Sequence, residues 1–171
     1  LVVGGSLGAQ ALNQVVPQAL ALIPEPQRPL VLHQSGAKQI DALRAAYASA
    51  GVQAELTPFI EDTAQAFAQA DLVIGRAGAS TVTELAAVGV ASWLVPFPHA
   101  VDDHQTTNAR FLSDAGAAWL VPQAQLQPSD LAERLQRLTR EELLRMAQAA
   151  HAQRKLQAVD DMVQACEELA A

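Results

Sequence analysis

Residues 71–89, DLVIGRAGASTVTELAAVG, carry the residue types needed to hold a nucleotide diphosphate. Leu72, Val73 and Ile74 form an apolar run of strand type; the chain then breaks at Gly75-Arg76-Ala77-Gly78 and restarts as a helix pattern at Ala79-Ser80-Thr81. In a parallel sheet, ligands bind in the crevice beyond the C-terminal ends of the strands. A helix N-terminus placed there offers unpaired N–H groups and the positive end of a dipole, and both suit phosphate. The N–H groups of Ala79, Ser80, Thr81 and Val82 are therefore candidates for phosphate, and the Glu84 carboxylate can accept both hydroxyls of a ribose. Glu84 also has a purely structural reading. Thr81-Val82-Thr83-Glu84 has the spacing of a capping box ahead of the apolar run 85–88, a feature worth about 0.5–2 kcal/mol to a helix. The motif alone does not choose between the two.

A second glycine-rich turn, Gly4-Gly5-Ser6-Leu7-Gly8-Ala9, follows the strand-type residues 1–3. Glycines let backbone approach a ligand closely, but the pattern is not GxGxxG, and a tight strand-to-helix turn without a ligand explains it as well. A dinucleotide site requires an acidic residue at the end of the second strand, about 20 residues past the glycine turn. Here that strand ends in His33-Gln34-Ser35, and Glu25 lies earlier, between two prolines. NAD and FAD are therefore disfavoured. The absence of GxxxxGK[ST] argues against a P-loop NTPase. His99, Asp102, Asp103 and His104 lack the spacing of known metal sites, so neither a metal nor a cofactor is expected.

The elements that must position these groups alternate along the chain. Strand-type runs fall at 1–3, 29–34, 53–58, 72–74, 91–96 and 118–121. Helical patterns follow the first turn to about 22, then occupy 37–50 (closed by Gly51), 63–70 (capped by Asp62 or Thr63), 79–88 and about 106–115. Pro128-Ser129-Asp130 starts a further helix, and two amphipathic helices at about 140–153 and 159–169 are expected to pack on the sheet edge. This alternation predicts an α/β fold: a Rossmann-like open parallel six-stranded sheet with helices on both faces.

Bulk properties narrow the class. With 171 residues, 50% hydrophobic and 17% charged, the chain is long and apolar enough for one ordinary domain with a full core. A formal net charge of -7 argues against nucleic acid as a partner. The single cysteine, Cys166, excludes an internal disulfide. No apolar run reaches the roughly 18 residues of a membrane span. The sequence starts at Leu1 inside a strand-type run, where strands normally have about 5–6 residues, so a piece of a longer protein is expected.

Six segments carry a resemblance: residues 4–9 with Asn13; His33-Gln34-Ser35-Gly36; Phe59-Ile60; residues 76–84, RAGASTVTE; Val95-Pro96-Phe97-Pro98-His99; and Asp103-His104-Gln105 with Asn108-Ala109. In order and spacing they resemble the C-terminal half of the bacterial undecaprenyldiphospho-muramoylpentapeptide β-N-acetylglucosaminyltransferases. These are inverting peptidoglycan glycosyltransferases of the GT-B class, with two Rossmann-like domains. The resemblance covers essentially the whole chain and implies that residues 1–171 are a UDP-GlcNAc-binding C-terminal domain. It implies transfer of GlcNAc to lipid I, giving lipid II, by a peripheral enzyme at the cytoplasmic face of the bacterial inner membrane. It also implies that Ser6 binds the diphosphate, that the backbone of Ile60 reads uracil, and that Ala79, Ser80, Thr81, Val82, Thr83 and Glu84 hold phosphates and ribose. Gln105 would contact the GlcNAc hydroxyls, with His104 beside it. The catalytic base, the acceptor site for lipid I and the membrane-associating patch belong in the family to an N-terminal domain that residues 1–171 do not include. No catalytic residue is thus assigned here, and this chain alone is expected to bind donor without transferring sugar.

Two departures stand out: Gln10 occupies a position commonly Arg in the family, and Ser80 one that is often larger and apolar. Two alternatives share the donor. One is the UDP-GlcNAc-binding subunit of a two-chain transferase. The other is a UDP-GlcNAc 2-epimerase, for which the Asp102-Asp103-His104 loop is the only candidate acid–base group.

Overall fold

The computed structural model describes residues 1–5 and 8–170. Among them are six short strands: β1 (Val2–Val3), β2 (Leu32–Gln34), β3 (Glu55–Thr57), β4 (Leu72–Gly75), β5 (Ala91–Leu94) and β6 (Ala118–Leu120). Five helices alternate with them: α1 (Gln10–Ala21), α2 (Ile40–Ala50), α3 (Thr63–Gln69), α4 (Ala79–Val88) and α5 (His104–Ser113). Three more follow β6: α6 (Pro128–Arg137), α7 (Arg140–Ala152) and α8 (Ala158–Ala170). The strands are all parallel in the order β3-β2-β1-β4-β5-β6. The α/β, Rossmann-like architecture expected from the alternation is therefore the one observed.

Strand side chains alternate between two cores, as the period of two requires. Val2, Ile74 and Trp93 face α1, α2 and α6 through Leu12, Leu20, Leu43, Tyr47 and Leu131. Val73 and Leu94 face α3, α4, α5 and α7 through Phe67, Val82, Leu85, Leu112 and Ala150. Burial on both faces explains why β4 reads as an apolar run, Leu72-Val73-Ile74, rather than an alternating one. Local punctuation works as expected at several ends. Gly51 ends α2 in the left-handed conformation (φ 64, ψ 35). Asp62, not Thr63, caps α3, its Oδ1 accepting from the Gln65 N–H at 2.8 Å. Pro128 occupies the first turn of α6.

Three expectations are corrected. The residue preceding α4 is Gly78 (φ -62, ψ 151), with no side-chain cap, so Thr81 is the third helical residue and Glu84 the sixth. The capping-box reading of Thr81 and Glu84 fails because Ala79 and Ser80 already have helical backbone; the box needs its first residue outside the helix. Helix α5 begins at His104, two residues earlier than expected, which moves His104 and Gln105 from a loop into its first turn. Finally, α7 packs against α4 and β5 as expected, but α8 does not pack on the sheet edge. Met162, Val163 and Leu169 of α8 are 64%, 52% and 89% exposed, so its apolar face gains nothing from the domain core. No helix among the described residues is long and apolar enough to cross a membrane.

Candidate functional site

Strand order reverses between β1 and β4, which are neighbours in the sheet. Chains leaving such a pair diverge to opposite faces, so a crevice opens beyond their C-terminal ends. The register pairs Val3 with both Gln34 and Gly75, so the turns after β1 and β4 leave the sheet at one level, side by side. Both glycine-rich segments found in the sequence thus border one crevice. Ser6, the residue expected to meet the diphosphate, lies outside the described residues.

The turn after β1 is held from below. Gln34, only 3% exposed, accepts with Oε1 from the Gly4 and Gly5 N–H groups, each at 3.1 Å, and donates with Nε2 to the Gly5 carbonyl at 3.1 Å. At Gly8 (φ +75) a Cβ would stand 2.1 Å from the Ser35 carbonyl oxygen and 2.8 Å from Gln39 Nε2, so only glycine fits. Beneath lies a buried polar network. The His33 ring is fully buried, with Nδ1 3.0 Å from the Tyr47 hydroxyl and Nε2 3.0 Å from Asn13 Oδ1. Asn13 Nδ2 donates to Gln39 Oε1 at 2.8 Å, which leaves Asn13 Oδ1 as the acceptor. The ring therefore carries its proton on Nε2 and accepts from Tyr47 on Nδ1; one neutral tautomer satisfies both bonds. Burial pushes the His33 pKa from 6.5 to about 3 and raises that of Tyr47. His33 is thus part of the core and not a ligand; His151, on α7, is exposed.

The turn after β4 is held from the side by α5. Gln105 Oε1 accepts from the Ala77 N–H at 3.3 Å and from the Phe97 N–H at 3.0 Å. Asn108 Nδ2 donates to the Ala77 carbonyl at 3.1 Å, so both polar atoms of Ala77 are gripped by one helix. Two backbone donors on one oxygen fix the orientation of the Gln105 amide. Its NH2 makes no hydrogen bond among the described residues and remains a donor for a ligand hydroxyl. His104 is exposed at the start of α5.

Arg76 ties the same turn to β5. Its Nη1 donates to the carbonyls of Val95 (3.0 Å) and Pro96 (3.2 Å), its Nη2 to Gln123 Oε1 (2.6 Å), and the guanidinium lies 5.4 Å from the centre of the Phe97 ring. Partial burial lowers its pKa. Its hydrogen-bond partners are all neutral, and no ion pair among the described residues offsets its positive charge.

Helix α4 itself is open at its start. Val82 is not among the free donors: its N–H closes the first intrahelical bond to the Gly78 carbonyl at 3.0 Å, and its side chain is buried in the core. The first-turn N–H groups are those of Ala79, Ser80 and Thr81, with no side-chain cap over them. Ala79 and Ser80 are exposed and Thr81 half-buried, whereas the Thr83 hydroxyl donates back to the Ala79 carbonyl at 2.9 Å. The half-buried Glu84 carboxylate has no hydrogen-bond or ion-pair partner among the described residues. Ile60, also half-buried, sits in the loop after β3, just beyond Phe59, whose N–H and carbonyl both bond the Thr57 hydroxyl, at 3.3 and 2.6 Å.

The arrangement is a cleft floored by neutral amides, with an uncapped helix N-terminus, a nearby guanidinium and an unengaged carboxylate one and a half turns further on. It suits a ligand with phosphates at one point and a pair of hydroxyls at another. Three residues central to this geometry received no role from the sequence: Gln34, Arg76 and Asn108. The available signal was their type and place: amide or guanidinium side chains at strand ends and in a first helical turn, beside glycine turns whose backbone groups need partners.

Comparison with known proteins adds the following. The family model of the glycosyltransferase family 28 C-terminal domain matches residues 1–164. The UDP-N-acetylglucosamine–N-acetylmuramyl-(pentapeptide) pyrophosphoryl-undecaprenol N-acetylglucosamine transferase of Paracidovorax citrulli is 66% identical over 171 residues, which is 100% of this chain and 48% of the relative. The transferase of the same name from Acidovorax sp. is 66% identical over 170 residues, 99% of this chain and 43% of the relative. The chain spans about half the length of the curated relatives it matches. The crystal structure of Acinetobacter baumannii MurG superposes with a TM-score of 0.88 at 44% identity, covering 98% of this chain and 48% of that one. The glycosyltransferase VinC, in complex with DTDP, shares the fold at 19% identity and a TM-score of 0.62.

Proposed function

This chain belongs to the glycosyltransferase family 28 C-terminal domains, and from that premise we propose that it is the UDP-GlcNAc-binding domain of an inverting hexosyltransferase that moves GlcNAc to lipid I, forming lipid II for peptidoglycan. The observation that carries the reading is the uncapped start of α4 with the unengaged Glu84 on the same helix. Phosphate oxygens accept from the N–H groups of Ala79, Ser80 and Thr81, with Arg76 adding positive potential. Glu84 accepts from the ribose hydroxyls. The Ile60 backbone pairs with uracil, Ser6 meets the diphosphate from the other turn, and the Gln105 NH2 donates to a sugar hydroxyl with His104 beside it. Thr83 lines the same helix start. The names of the 66%-identical relatives support this choice of donor and acceptor.

In this reading the domain binds and orients the donor and stabilises the departing diphosphate. The base, the lipid I site and the patch that docks on the cytoplasmic face of the inner membrane lie in the half of the relatives' length that this chain does not span. Together the two halves make one GT-B enzyme.

Calorimetric titration with UDP-GlcNAc, UDP and NAD tests the proposal. The uridine compounds bind and NAD does not. Losing hydrogen bonds to a charged group weakens UDP-GlcNAc binding in Glu84→Ala by about 10- to 100-fold. Unchanged affinity in that variant removes Glu84 from the ribose. Appreciable turnover with lipid I by residues 1–171 alone refutes the assignment of the base to the other half.

A further inference from the structure

Gln34 does more than hold the turn after β1. Its Nε2 also donates to the Pro58 carbonyl at 3.0 Å, in the loop after β3 and two residues before Ile60. Its side-chain amide thus makes four hydrogen bonds, three to Gly4 and Gly5 and one to Pro58. With Thr57 holding both polar backbone atoms of Phe59, the peptide groups of Ile60 are the next ones along that loop. A dinucleotide site would place a ribose-binding acid at this strand end. Here a neutral amide is turned down onto backbone.

We propose that Gln34 is a positioning residue of the donor site, a buried amide that fixes the spacing between the diphosphate turn and the base loop, so that both ends of a uridine diphosphate are bound at once. The inference rests on the donor reading above. Glutamine suits the task by length and charge. Asparagine is shorter by one carbon–carbon bond, about 1.5 Å, and cannot reach Gly5 and Pro58 together. Glutamate sets an oxygen against two carbonyls and buries a charge.

Two sites held at a fixed spacing reward a ligand that spans them but not its separate pieces. The test is a set of chemical-shift titrations with uridine, pyrophosphate and UDP, on the full natural chain containing this sequence, in wild type and Gln34→Asn. Expected is UDP binding weakened about tenfold or more, while uridine and pyrophosphate each change by less than about twofold. A UDP loss no greater than the product of the two fragment losses overturns the proposal, since a general loss of order weakens all three ligands in step. Thermal melting checks folding; if Gln34→Asn does not fold, the same comparison is read in Gln34→Glu, which keeps an acceptor for both glycine N–H groups. Absence of UDP binding to the wild type is a different failure, and sinks the donor reading itself.

Discussion

The turns after β1 and β4 leave the sheet side by side and both contain glycine, yet glycine serves opposite ends in them. In the first, space is the constraint. A Cβ at Gly4 would lie 2.8 Å from the Ala9 nitrogen, and one at Gly8 2.1 Å from the Ser35 carbonyl, with φ +75 besides. In the second, Gly78 has an ordinary φ of -62 and its nearest neighbour to an added Cβ is Thr81 Oγ1 at 3.7 Å. The fold demands Gly8. It does not demand Gly78, whose missing side chain keeps the first turn of α4 open. A glycine in a motif is therefore structural or functional according to what a Cβ would meet, and the letter alone cannot tell which.

The largest stability effect is expected of Gly8→Ala. A backbone carbonyl cannot move aside as a side-chain tip can, and the left-handed φ adds strain, so a stability loss of about 3–5 kcal/mol is expected, read by urea unfolding. The buried network under the same turn gives the next largest effect. His33 is held neutral in the fold, its pKa pushed from 6.5 to about 3 by burial. Below pH 6.5 the unfolded chain takes up a proton that the folded chain refuses. The His33 contribution is therefore intact above that pH, falls as pH drops towards 3, and levels off there. The slope approaches about 1.4 kcal/mol per pH unit, or roughly 2 kcal/mol lost by pH 5. Urea unfolding between pH 7 and pH 4 measures it. His33→Gln, which does not titrate, should flatten the curve; a slope unchanged by that substitution would place the acid sensitivity elsewhere.

Much of this contrast was out of reach of the sequence, for identifiable reasons. The βα alternation gave the sheet and its helices because apolar runs such as 72–74 are buried on both faces, a pattern few other folds need. The start of α4 at Ala79 was legible, but the capping box was misassigned because Thr81 and Glu84 match its spacing, while nothing local reveals that Gly78 is the last extended residue. The start of α5 was missed because Asp103 adopts the left-handed conformation (φ 51, ψ 31), which a polar loop sequence hides. Gln34, Arg76 and Asn108 escaped because they bond backbone atoms 29, 19 and 31 residues away, contacts that no local pattern encodes. The exposure of α8 escaped because an amphipathic pattern reports that a face wants a partner, not that one is present.

Helix α5 grips the second turn through both polar backbone atoms of Ala77. Gln105→Ala and Asn108→Ala each leave backbone groups of Ala77 unpaired, at a cost of about 1–2 kcal/mol. If the two turns are independent, these losses add to that of a substitution at Gly4 within about 0.5 kcal/mol. Coupling well beyond that would show the turns to be one structural unit. In the donor reading proposed above, Gln105→Ala also raises the Kd for UDP-GlcNAc more than that for UDP, because there the sugar loses its NH2 donor while the diphosphate does not.

The smallest stability effect belongs to Gly78→Ala. The backbone there is one that alanine adopts freely, and the added methyl meets nothing closer than 3.7 Å, so the fold should change by less than about 1 kcal/mol, mostly the poorer helix start. Binding responds differently. The methyl stands at the mouth of the first turn, where phosphate oxygens must come within about 3 Å of the N–H groups. UDP affinity is expected to fall about tenfold, close to the loss of one charge-assisted hydrogen bond. Thermal melting and calorimetry on this one variant therefore read the two halves of the contrast together. A stability loss as large as that of Gly8→Ala would erase the difference between the turns. A preserved fold with unaltered UDP affinity would leave the difference standing but deny that the open turn of α4 is where the diphosphate sits.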